Sequence, residues 1–513
     1  MHTAMQDMLL NWGLIAVLPS LAVGCSPAPK LTAQDRRNDI SFLARWANEY
    51  SPFVELNEQL RGLPSYQALA PRYMQMAAEA KSDAEFYEVV FGYFSLLGVS
   101  GHGQLFPEQS LRGFIHEARR RPGQLSPQQL KGGVYWAKLE QRSCFVHPPF
   151  RIIRDGEVYR VGQDWRRPGR LIPQGTRISR VNGLTPASYL ARLRKETWVR
   201  YIPRDTDWIA ESLLSVHEGE GFRGWQVGFL LADETACEAF VPCRNGLAGP
   251  TEFSDYGSAD GNCVCLELAD QVGYIRVKCM GGAFIEKDGR KIRKFLESSQ
   301  GKYRKLIIDV RDNGGGLHYY AFDNLIAPFL RRAVTYAEVG GIRRQFLDNH
   351  EPAFLEMLRR GVSIFAHETK VGEIKPPEGW DSKRWVFYRI ERRVEPRVRY
   401  NFLGRLFILM NGGTGSAADE FVNVAQRIEL ATLVGRRTPG SCGPYFNPIL
   451  VRLPASGMIF QLEADLTLNK DGSVEEIAGT KPDIEFPSGP LPQKATREEL
   501  LRDKWIQRVV AEL

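Results

Sequence analysis

The stretch that most constrains the fold is residues 404–440, where an apolar run, a glycine-rich turn and a helical pattern follow one another. The run at 406–410 has the length and composition of a strand, and Asn-Gly-Gly-Thr-Gly leads from it to Ser416. Apolar residues then recur at spacings of three and four as far as Ile428, which is typical of an amphipathic helix. The pattern therefore predicts a strand, a tight turn and a helix, with Ser416 at the helix N-terminus.

Two roles fit a serine in this position. The unpaired N–H groups and the dipole of a helix N-terminus favour developing negative charge, and a serine on a sharp strand-to-helix turn suits a nucleophile. Serine is also a preferred N-cap residue. On this stretch alone the N-cap role of Ser416 is the simpler interpretation, so evidence for catalysis has to come from the rest of the chain.

Length and composition describe an ordinary globular protein. A chain of 513 residues is long enough for two or three domains, and 43% hydrophobic with 25% charged residues can form a sizeable core. The net charge of +7 is modest for this length, and the basic residues are scattered. With no nucleic-acid-binding motif in the sequence, we expect no nucleic-acid partner.

The first residues are typical of an export signal. Residues 9–23 are mostly apolar but too short to span a bilayer comfortably, which predicts a signal peptide over residues 1–25. The Ala-Val-Gly-Cys run that ends at Cys25 resembles a bacterial lipoprotein cleavage box. This resemblance implies an exported protein, in the periplasm or anchored to the outer membrane through a lipidated Cys25. The alternative is a buried N-terminal helix.

The cysteines do not indicate a metal site. Eight are present, and no Cys-x-x-Cys pair occurs, so zinc binding is not expected. Cys237 and Cys243 are close enough in sequence to form a disulfide in an oxidising compartment, although sequence alone cannot fix the connectivity. No metal or organic cofactor is implied.

The chain divides into segments of different character. Residues 35–130 carry amphipathic helical patterns, and residues 131–250 show short strand patterns between turns, including one that contains Val134. Within the second segment, residues 172–183 and the helix after them resemble the second half of a PDZ domain, which binds an extended peptide at a sheet edge. Residues 262–490 alternate strand and helix, apart from an insertion at 341–400, and indicate an α/β domain. A final amphipathic helix is expected within 491–513.

Three loops of the α/β segment contain residues that together are suited to catalysis. A buried strand at 305–310 runs into Asn313 and three glycines, whose backbone N–H groups can bind an oxyanion. The second loop presents Ser416, and the third begins at Glu476. Asp419 and Glu420 lie in the first turn of the predicted nucleophile helix, where acidic side chains complement the helix dipole.

The amino-acid sequences of these loops resemble those of a known family. The matching segments are LIIDVRDNGGG at 306–316, FILMNGGTGSAADEF at 407–421, LVGRRTPG at 433–440 and EIAGTKPDI at 476–484. In order and spacing they are similar to the C-terminal-processing (tail-specific) serine peptidases. The resemblance implies a crotonase-like α/β catalytic core with a PDZ-like module and a helical N-terminal cap, acting on a peptide or protein substrate.

The resemblance also implies the catalytic steps at the serine. Ser416 would attack a peptide carbonyl and form an acyl-enzyme. The backbone N–H of Ala417, together with that of Gly314 or Gly315, would form the oxyanion hole. Asp309 and Arg311 are expected to be structural.

The general base depends on the branch of the family. One branch uses a lysine about where Ser441 falls, but this chain has no lysine between Ser416 and Lys470. The other branch resembles the core of the tricorn protease and takes a histidine from an N-terminal loop. That loop matches the segment around His102, which lies between two glycines.

The second branch also supplies the groups that support the histidine. Glu476 matches the glutamate of a Ser-His-Ser-Glu tetrad, and Ser100 is the candidate for the second serine. His318, two residues after the glycine run, is a rival base on sequence position.

Two other functions remain open. The chain could be a catalytically inactive relative that binds a peptide or an apolar ligand, because Gly101 precedes His102 and the lysine is missing. Acyl-CoA chemistry on the same fold is the other alternative function, which the export signal and Ser416 disfavour.

Overall fold

The protein is described here from a computed structural model. The structure describes residues 30–56, 65–97, 104–105, 111, 127–142, 145–150, 152–155, 158–195, 216–217, 223–245, 261–298, 301–348, 368–397, 402–440, 449–487, 491–492 and 495–512. The predicted signal peptide at 1–25, including Cys25, lies outside these ranges.

The N-terminal part is helical, as the amphipathic patterns predict. Its elements are α1 (Ala33–Tyr50), α2 (Tyr66–Glu79), α3 (Asp83–Ser95), the short strand β1 (Gln104–Leu105) and α4 (Pro127–Arg142). The first helix begins with a capping box in which Thr32 and Asp35 exchange hydrogen bonds. Aromatic and aliphatic side chains of these helices form one core.

The strand expected around Val134 is wrong, because this residue lies inside α4. Leu130, Val134 and Ala137 are buried and follow one another at spacings of four and three, which is a helical repeat. The β-branched and aromatic residues of the segment suggested a strand, but this spacing and the packing of Trp136 against the helical core decide the conformation.

The next part is built of short antiparallel strands. Its elements are β2 (Phe145–His147), β3 (Ile152–Asp155), β4 (Val158–Val161), β5 (Trp165–Arg167), β6 (Arg170–Ile172), β7 (Arg177–Val181), α5 (Pro186–Lys195), β8 (Val216–His217), β9 (Gly224–Leu230), β10 (Ala236–Pro242) and β11 (Arg244–Asn245). Five strands form a sheet in the order β10-β9-β7-β4-β3, β5 pairs with β6, and β11-β2-β8 form a third sheet. Tyr189 of α5 and the inward residues of the large sheet share a core.

The disulfide considered between Cys237 and Cys243 is not formed. The two thiols are not bonded to each other, because Cys237 lies near the start of the extended strand β10 and Cys243 directly follows its end. Six residues of strand span about 20 Å, whereas the Cα atoms of a disulfide lie about 4.4–6.8 Å apart.

The third part contains the α/β core that positions the functional loops. Its elements are β12 (Cys263–Ala269), β13 (Val272–Val277), α6 (Ile285–Ser298), β14 (Lys305–Asp309), α7 (His318–Ala321), β15 (Val334–Arg343), β16 (Glu368–Ile374), β17 (Trp385–Val394), β18 (Arg405–Met410), α8 (Ala417–Arg427), β19 (Thr432–Gly435), β20 (Ile449–Arg452), β21 (Ile459–Leu462), β22 (Asp465–Leu468), α9 (Glu475–Ala478), β23 (Ile484–Glu485), α10 (Arg497–Leu500) and α11 (Lys504–Glu512). Short π and 3-10 turns at Phe322–Ile326 and Ala327–Phe329 follow α7.

The central sheet has six strands in the order β12-β13-β14-β18-β19-β23. The strands from β13 to β23 are parallel, and β12 is antiparallel to β13. Ile308 and Ile408 face one layer, formed by α6, α8 and the turns after α7, while Ile307 and Phe407 face α10 and α11. Helices therefore cover both faces, which explains the nearly continuous apolar runs in the central strands.

A second, antiparallel sheet packs beside the central one. Its order is β16-β17-β15-β22, so it combines β16 and β17 from the predicted insertion at 341–400 with β15, which runs into the start of the insertion, and with β22 from outside it. The β20–β21 hairpin pairs with β1 and packs on the N-terminal helices, where Asp39 of α1 accepts hydrogen bonds from the N–H groups of Ala455 and Ser456. The two strands of this hairpin are antiparallel, with Ile449 opposite Leu462.

The single C-terminal helix expected within 491–513 is instead two short helices, α10 and α11. The Asp503 carboxylate accepts the N–H groups of Trp505 and Ile506 and so caps the start of α11. Its other oxygen binds the buried guanidinium of Arg311 at 2.8 Å. This tertiary ion pair fixes Asp503 at a helix break that an amphipathic pattern does not show.

Within the described ranges, no helix has the length and apolar character needed to cross a membrane. The same ranges contain no group of three or more histidine, cysteine, aspartate or glutamate residues arranged to hold a metal ion.

Candidate active site

The candidate site lies where three neighbouring parallel strands end. Strands β14, β18 and β19 are adjacent, with Asp309 opposite Leu409 and Leu409 opposite Val434. The carboxyl ends of parallel strands meet at one edge of a sheet, which is where α/β proteins place their binding sites. The glycine loop after β14, the serine turn after β18 and the loop after β19 are therefore neighbours.

Direct hydrogen bonds join the first two loops. The N–H of Gly415 donates to the carbonyl of Asn313 at 2.9 Å. Asp312 and Asn411 bind each other twice, from the Asp312 N–H to Oδ1 of Asn411 and from Nδ2 of Asn411 to Oδ1 of Asp312. The proximity of the glycine loop and Ser416, inferred from the sequence, is thus present in the structure.

Ser416 occupies a strained backbone conformation at the start of α8. Its φ is 51° and its ψ is −128°, a combination that L-residues rarely adopt and that costs on the order of 1–3 kcal/mol. Its side chain makes no N-cap hydrogen bond to the helix. The N-cap interpretation is therefore wrong for this side chain, and the strained turn is the one typical of a nucleophile elbow.

Gly315 is in van der Waals contact with this turn. A Cβ atom added to Gly315 would lie 2.6 Å from Cβ of Ser416 and 2.8 Å from the nitrogen of Ala417, and the residue has a φ of 97°. Only glycine fits here, for steric and for conformational reasons. Gly314, by contrast, is exposed, and a Cβ there would meet nothing within 4 Å.

Two backbone N–H groups are available beside the serine. Oδ1 of Asn313 accepts the N–H of Gly315 at 2.9 Å, so this donor is used within the loop. Among the described residues, no acceptor takes the N–H of Gly314 or of Ala417. Of the two alternatives left by the sequence, Gly314 is thus the better partner of Ala417 in an oxyanion hole.

A pair of glycine substitutions tests this packing. We expect Gly315→Ala to lower the free energy of unfolding by about 2–4 kcal/mol, because the new methyl group overlaps the serine turn and an unfavourable φ is retained. Gly314→Ala, its matched control, should change it by less than about 0.5 kcal/mol. Urea denaturation of both variants measures the difference, and equal stabilities would contradict the described contact.

Glu476 lies in the third loop, on the short helix α9. It is 3% exposed, and its two carboxylate oxygens accept the N–H of Thr467 at 2.8 and 3.1 Å. Burial, with a smaller contribution from the nearby Glu463 carboxylate, raises the pKa of Glu476 from 4.5 to about 8. The helix packs on the loop after β19, since a Cβ at Gly440 would lie 2.5 Å from the Glu475 carbonyl oxygen.

This raised pKa predicts a pH-dependent stability. Between about pH 4.5 and pH 8 the folded protein keeps a proton on Glu476 that the unfolded chain releases, so stability falls as the pH rises through this window. Glu476→Gln removes the titration. We expect the free energy of unfolding of this variant, relative to wild type, to increase by on the order of 3–5 kcal/mol from pH 4.5 to pH 8.

Denaturation at several pH values measures the effect, with Glu286→Gln as control. Glu286 lies on α6 with its side chain 79% exposed, so its replacement should leave the pH dependence unchanged. A Glu476→Gln variant that follows the wild-type curve at every pH would show that this carboxyl group does not titrate in the proposed window.

His102 and Ser100 lie outside the residues that the structure describes, so their positions relative to Ser416 stay predictions. The strand β1 begins at Gln104, two residues after His102. Gln104 pairs with Gln461 of β21, and Glu463 follows that strand. Ser441 is also outside the described residues.

His318, the rival base, is buried at the start of α7. Nδ1 of His318 contacts the Glu420 carboxylate, and Glu420 lies in the first turn of α8. Glu420 in turn faces Nη1 of Arg392 at 3.7 Å, and Nε of Arg392 binds Glu338 at 2.9 Å. The sequence interpretation of Glu420 as a dipole-complementing residue missed this network.

Asp309 and Arg311, which were expected to be structural, form part of a buried ion-pair cluster. Arg311 donates to both oxygens of Asp309 and also binds Asp503, and all three side chains are buried. Burial would raise the pKa of Asp309, but the Arg311 guanidinium outweighs it and holds that pKa below its usual value. Oδ2 of Asp483 accepts the N–H of Leu433, near the start of β19. Asp419 accepts a hydrogen bond from Thr480.

Comparisons with known proteins agree with this architecture. Residues 271–486 match peptidase family S41. Mature CPAF complexed with lactacystin is 16% identical, with a TM-score of 0.58 over 89% of this chain and 94% of that chain. A CPAF mutant is 15% identical, with a TM-score of 0.59 over 93% and 96%. The photosystem II D1 C-terminal processing protease is 15% identical, with a TM-score of 0.42 over 91% and 96%. No curated protein matches the chain.

The matched region contains the glycine loop, Ser416 and Glu476, so the protein is a serine-type peptidase. At these identities the likeness to CPAF shows a shared α/β fold. The family match concerns the core: residues 271–486 are similar to peptidase family S41, the C-terminal-processing serine peptidases.

Proposed function

We propose that this protein is an exported serine endopeptidase that cleaves peptide bonds through an acyl-enzyme on Ser416, with His102 as general base. The observation that carries the proposal is the conformation of Ser416, whose positive φ holds it on a turn against the glycine loop without a capping hydrogen bond. Strain of this kind persists only where the surrounding structure imposes it, and it is typical of functional sites.

The proposed chemistry assigns one step to each group. Oγ of Ser416 attacks the substrate carbonyl while His102 accepts its proton, and the N–H groups of Ala417 and Gly314 donate to the oxyanion. His102 then gives the proton to the leaving amine. A water molecule, activated by the same imidazole, releases the second product and restores the serine.

The position of β1 supports His102 as the base. The covalent chain keeps the Cα of His102 within about 7–8 Å of the Cα of Gln104, which is paired with β21. The carboxyl groups of Glu463 and Glu476, one following β21 and the other on α9, interact with each other. From this pairing we expect the loop before β1 to approach Glu476, which would orient the imidazole, with Ser100 as a further candidate for that role.

Labelling with a fluorophosphonate probe tests the proposal. The probe reacts with activated serines, so we expect stoichiometric labelling of the purified protein, with Ser416 identified by peptide mass spectrometry. Ser416→Ala should not be labelled. Labelling of both proteins to the same extent would contradict the assignment, and a folded protein that is not labelled at all would indicate an inactive relative that only binds peptides.

Export through residues 1–25, with lipidation of Cys25, is the second part of the proposal. It is supported by the apolar run at 9–23 and the Ala-Val-Gly-Cys segment. In a bacterial host we expect the full chain to incorporate an alkyne-tagged palmitate and to fractionate with membranes, because a lipidated cysteine inserts its acyl chains into a bilayer. Cys25→Ser should incorporate no label. Equal incorporation by both forms would contradict lipidation at Cys25.

A further inference from the structure

The buried contact between His318 and Glu420 joins the two loops that form the candidate oxyanion hole. His318 is two residues beyond Gly316, at the end of the glycine loop, and is 6% exposed. Glu420 is one helical turn beyond Ser416, and its N–H donates to the Ser416 carbonyl at 2.9 Å. The side-chain contact therefore spans from the glycine loop to the first turn of the nucleophile helix.

On its other side the glycine loop is fixed by backbone hydrogen bonds. The N–H of Met280 donates to the Gly315 carbonyl at 2.8 Å, and the N–H of Leu317 donates to the Met280 carbonyl at 2.7 Å. These bonds hold the loop to the segment after β13, and none of them sets its distance from α8. That distance is set by the Gly415–Asn313 and Asp312–Asn411 hydrogen bonds, by the packing of Gly315 against Ser416, and, at the far end of the loop, by the His318–Glu420 contact.

The Glu420 carboxylate is itself held from a different sheet. Arg392 of β17 lies between Glu420 and Glu338, and Glu338 belongs to β15. These three side chains and that of His318 are 1–6% exposed. Because the Glu420 oxygen that faces Nδ1 of His318 is an acceptor, the hydrogen of the imidazole belongs on Nδ1.

The far end of α8 is attached to the same sheet. The Arg427 guanidinium donates to the carbonyls of Ala337 on β15 and Leu468 on β22. The nucleophile helix is therefore fixed to the four-stranded sheet at its first and last turns, and the glycine loop is fixed to the helix through His318.

We propose that His318 and Glu420 are positioning residues for the peptidase reaction: their contact sets the separation between the Gly314 and Ala417 N–H groups, and Arg392 fixes it to the four-stranded sheet. This inference rests on the proposed function. His318 in this role does not exchange protons with the substrate, which distinguishes it from the general base.

Two substitutions of His318 separate positioning from base catalysis. Asparagine carries an amide nitrogen at nearly the place of Nδ1 and can still donate to Glu420, but it has no Nε2 to act as a base. We expect His318→Asn to keep kcat within about 5-fold of wild type. His318→Leu fills the space without a donor and should lower kcat about 10- to 100-fold with KM changed less than about 3-fold, because a displacement near 1 Å costs about this much.

A double-mutant cycle tests whether the two residues act as a unit. Glu420→Leu leaves Arg392 paired with Glu338, and it should lower kcat by an amount similar to His318→Leu. The double variant should lose no more than either single variant, since the interaction is already absent. Glu286→Gln, in the exposed Glu286–Arg290 pair on α6, is the control and should leave kcat unchanged.

Hydrogen exchange supplies a readout that does not depend on catalysis. Peptides covering residues 311–317 should exchange faster in His318→Leu and at the wild-type rate in His318→Asn, with thermal unfolding confirming that each variant is folded. Wild-type kcat and wild-type exchange in a folded His318→Leu variant would overturn the inference. A His318→Asn variant as inactive as His102→Ala would make His318 the base and overturn it too.

A failure of the proposed peptidase function can be distinguished from a failure of this positioning role. In that case Ser416 of the wild-type protein is not labelled by a fluorophosphonate, whatever residue stands at 318. The exchange of peptides covering 311–317 would still show whether the His318–Glu420 contact positions the glycine loop.

Discussion

Replacement of Ser416 by alanine is expected to lower kcat for peptide hydrolysis by about 10⁴- to 10⁶-fold, with little change in stability. The hydroxyl is the only group that forms the acyl-enzyme in the proposed mechanism, and the residual rate would come from substrate binding and the oxyanion hole alone. The measurement is hydrolysis of a quenched fluorescent peptide at saturating concentration, together with a thermal unfolding curve for each protein.

Ser188→Ala is the matched control for this experiment. Ser188 is an exposed serine on α5, and its hydroxyl interacts with that of Thr185. It lies in the antiparallel module rather than the core, so the variant should keep wild-type kcat. A Ser416→Ala protein that hydrolyses the peptide at the wild-type rate would exclude Ser416 as the nucleophile.

Replacement of His102 by alanine is expected to lower kcat about 10⁴-fold and to remove the acidic limb of the pH–rate profile. In wild type we expect the rate to rise with pH as the imidazole, whose ordinary pKa is about 6.5, loses its proton and becomes a base. Without the imidazole the remaining activity should follow hydroxide concentration. Steady-state kinetics from about pH 5 to pH 9 measure both effects.

His217→Ala is the control for the loss of a histidine. His217 belongs to the short strand β8, in the sheet β11-β2-β8, and not to the central sheet that carries Ser416. It should give the wild-type profile. Full activity in His102→Ala together with complete loss in His318→Asn would move the base to His318, and full activity in both would contradict a histidine base.

The sequence predicts the catalytic core well because its signals are local. The apolar runs that became β14 and β18 and the helical spacing that became α8 can each be read within a dozen residues. Parallel strands end at one edge of a sheet, so the approach of the glycine loop to Ser416 follows from the order of the elements. The glycine-rich turn indicates a tight backbone at Ser416, but the sequence does not predict the value of its φ.

Two errors came from features that local patterns do not contain. Residue type around Val134 predicts a strand, whereas its place in α4 depends on packing against the helical core. The C-terminal helix was expected to be continuous, and its break at Asp503 depends on an ion pair with Arg311, almost two hundred residues earlier. Both are cases in which tertiary contacts override local preference.

The network around Glu420 was missed for a related reason. In the sequence, Glu420 has a sufficient local explanation as an acidic residue that complements the helix dipole, and His318 is a rival base by its position alone. Arg392 and Glu338 come from the antiparallel sheet, so no spacing in the sequence connects them to α8. The available signal was positional: His318 and Glu420 both follow loops at the ends of the adjacent strands β14 and β18, which places a histidine and a carboxylate near one another.

The central claim is that His102 and Ser416 meet although they are more than three hundred residues apart in the chain. The most direct measurement is the distance between Nε2 of His102 and Oγ of Ser416 in a crystal structure of the protein with a bound substrate-like peptide. The mechanism predicts a separation of about 2.6–3.5 Å. A His102 side chain held more than about 8 Å away in that complex, with another group at hydrogen-bonding distance from the serine hydroxyl, would contradict it.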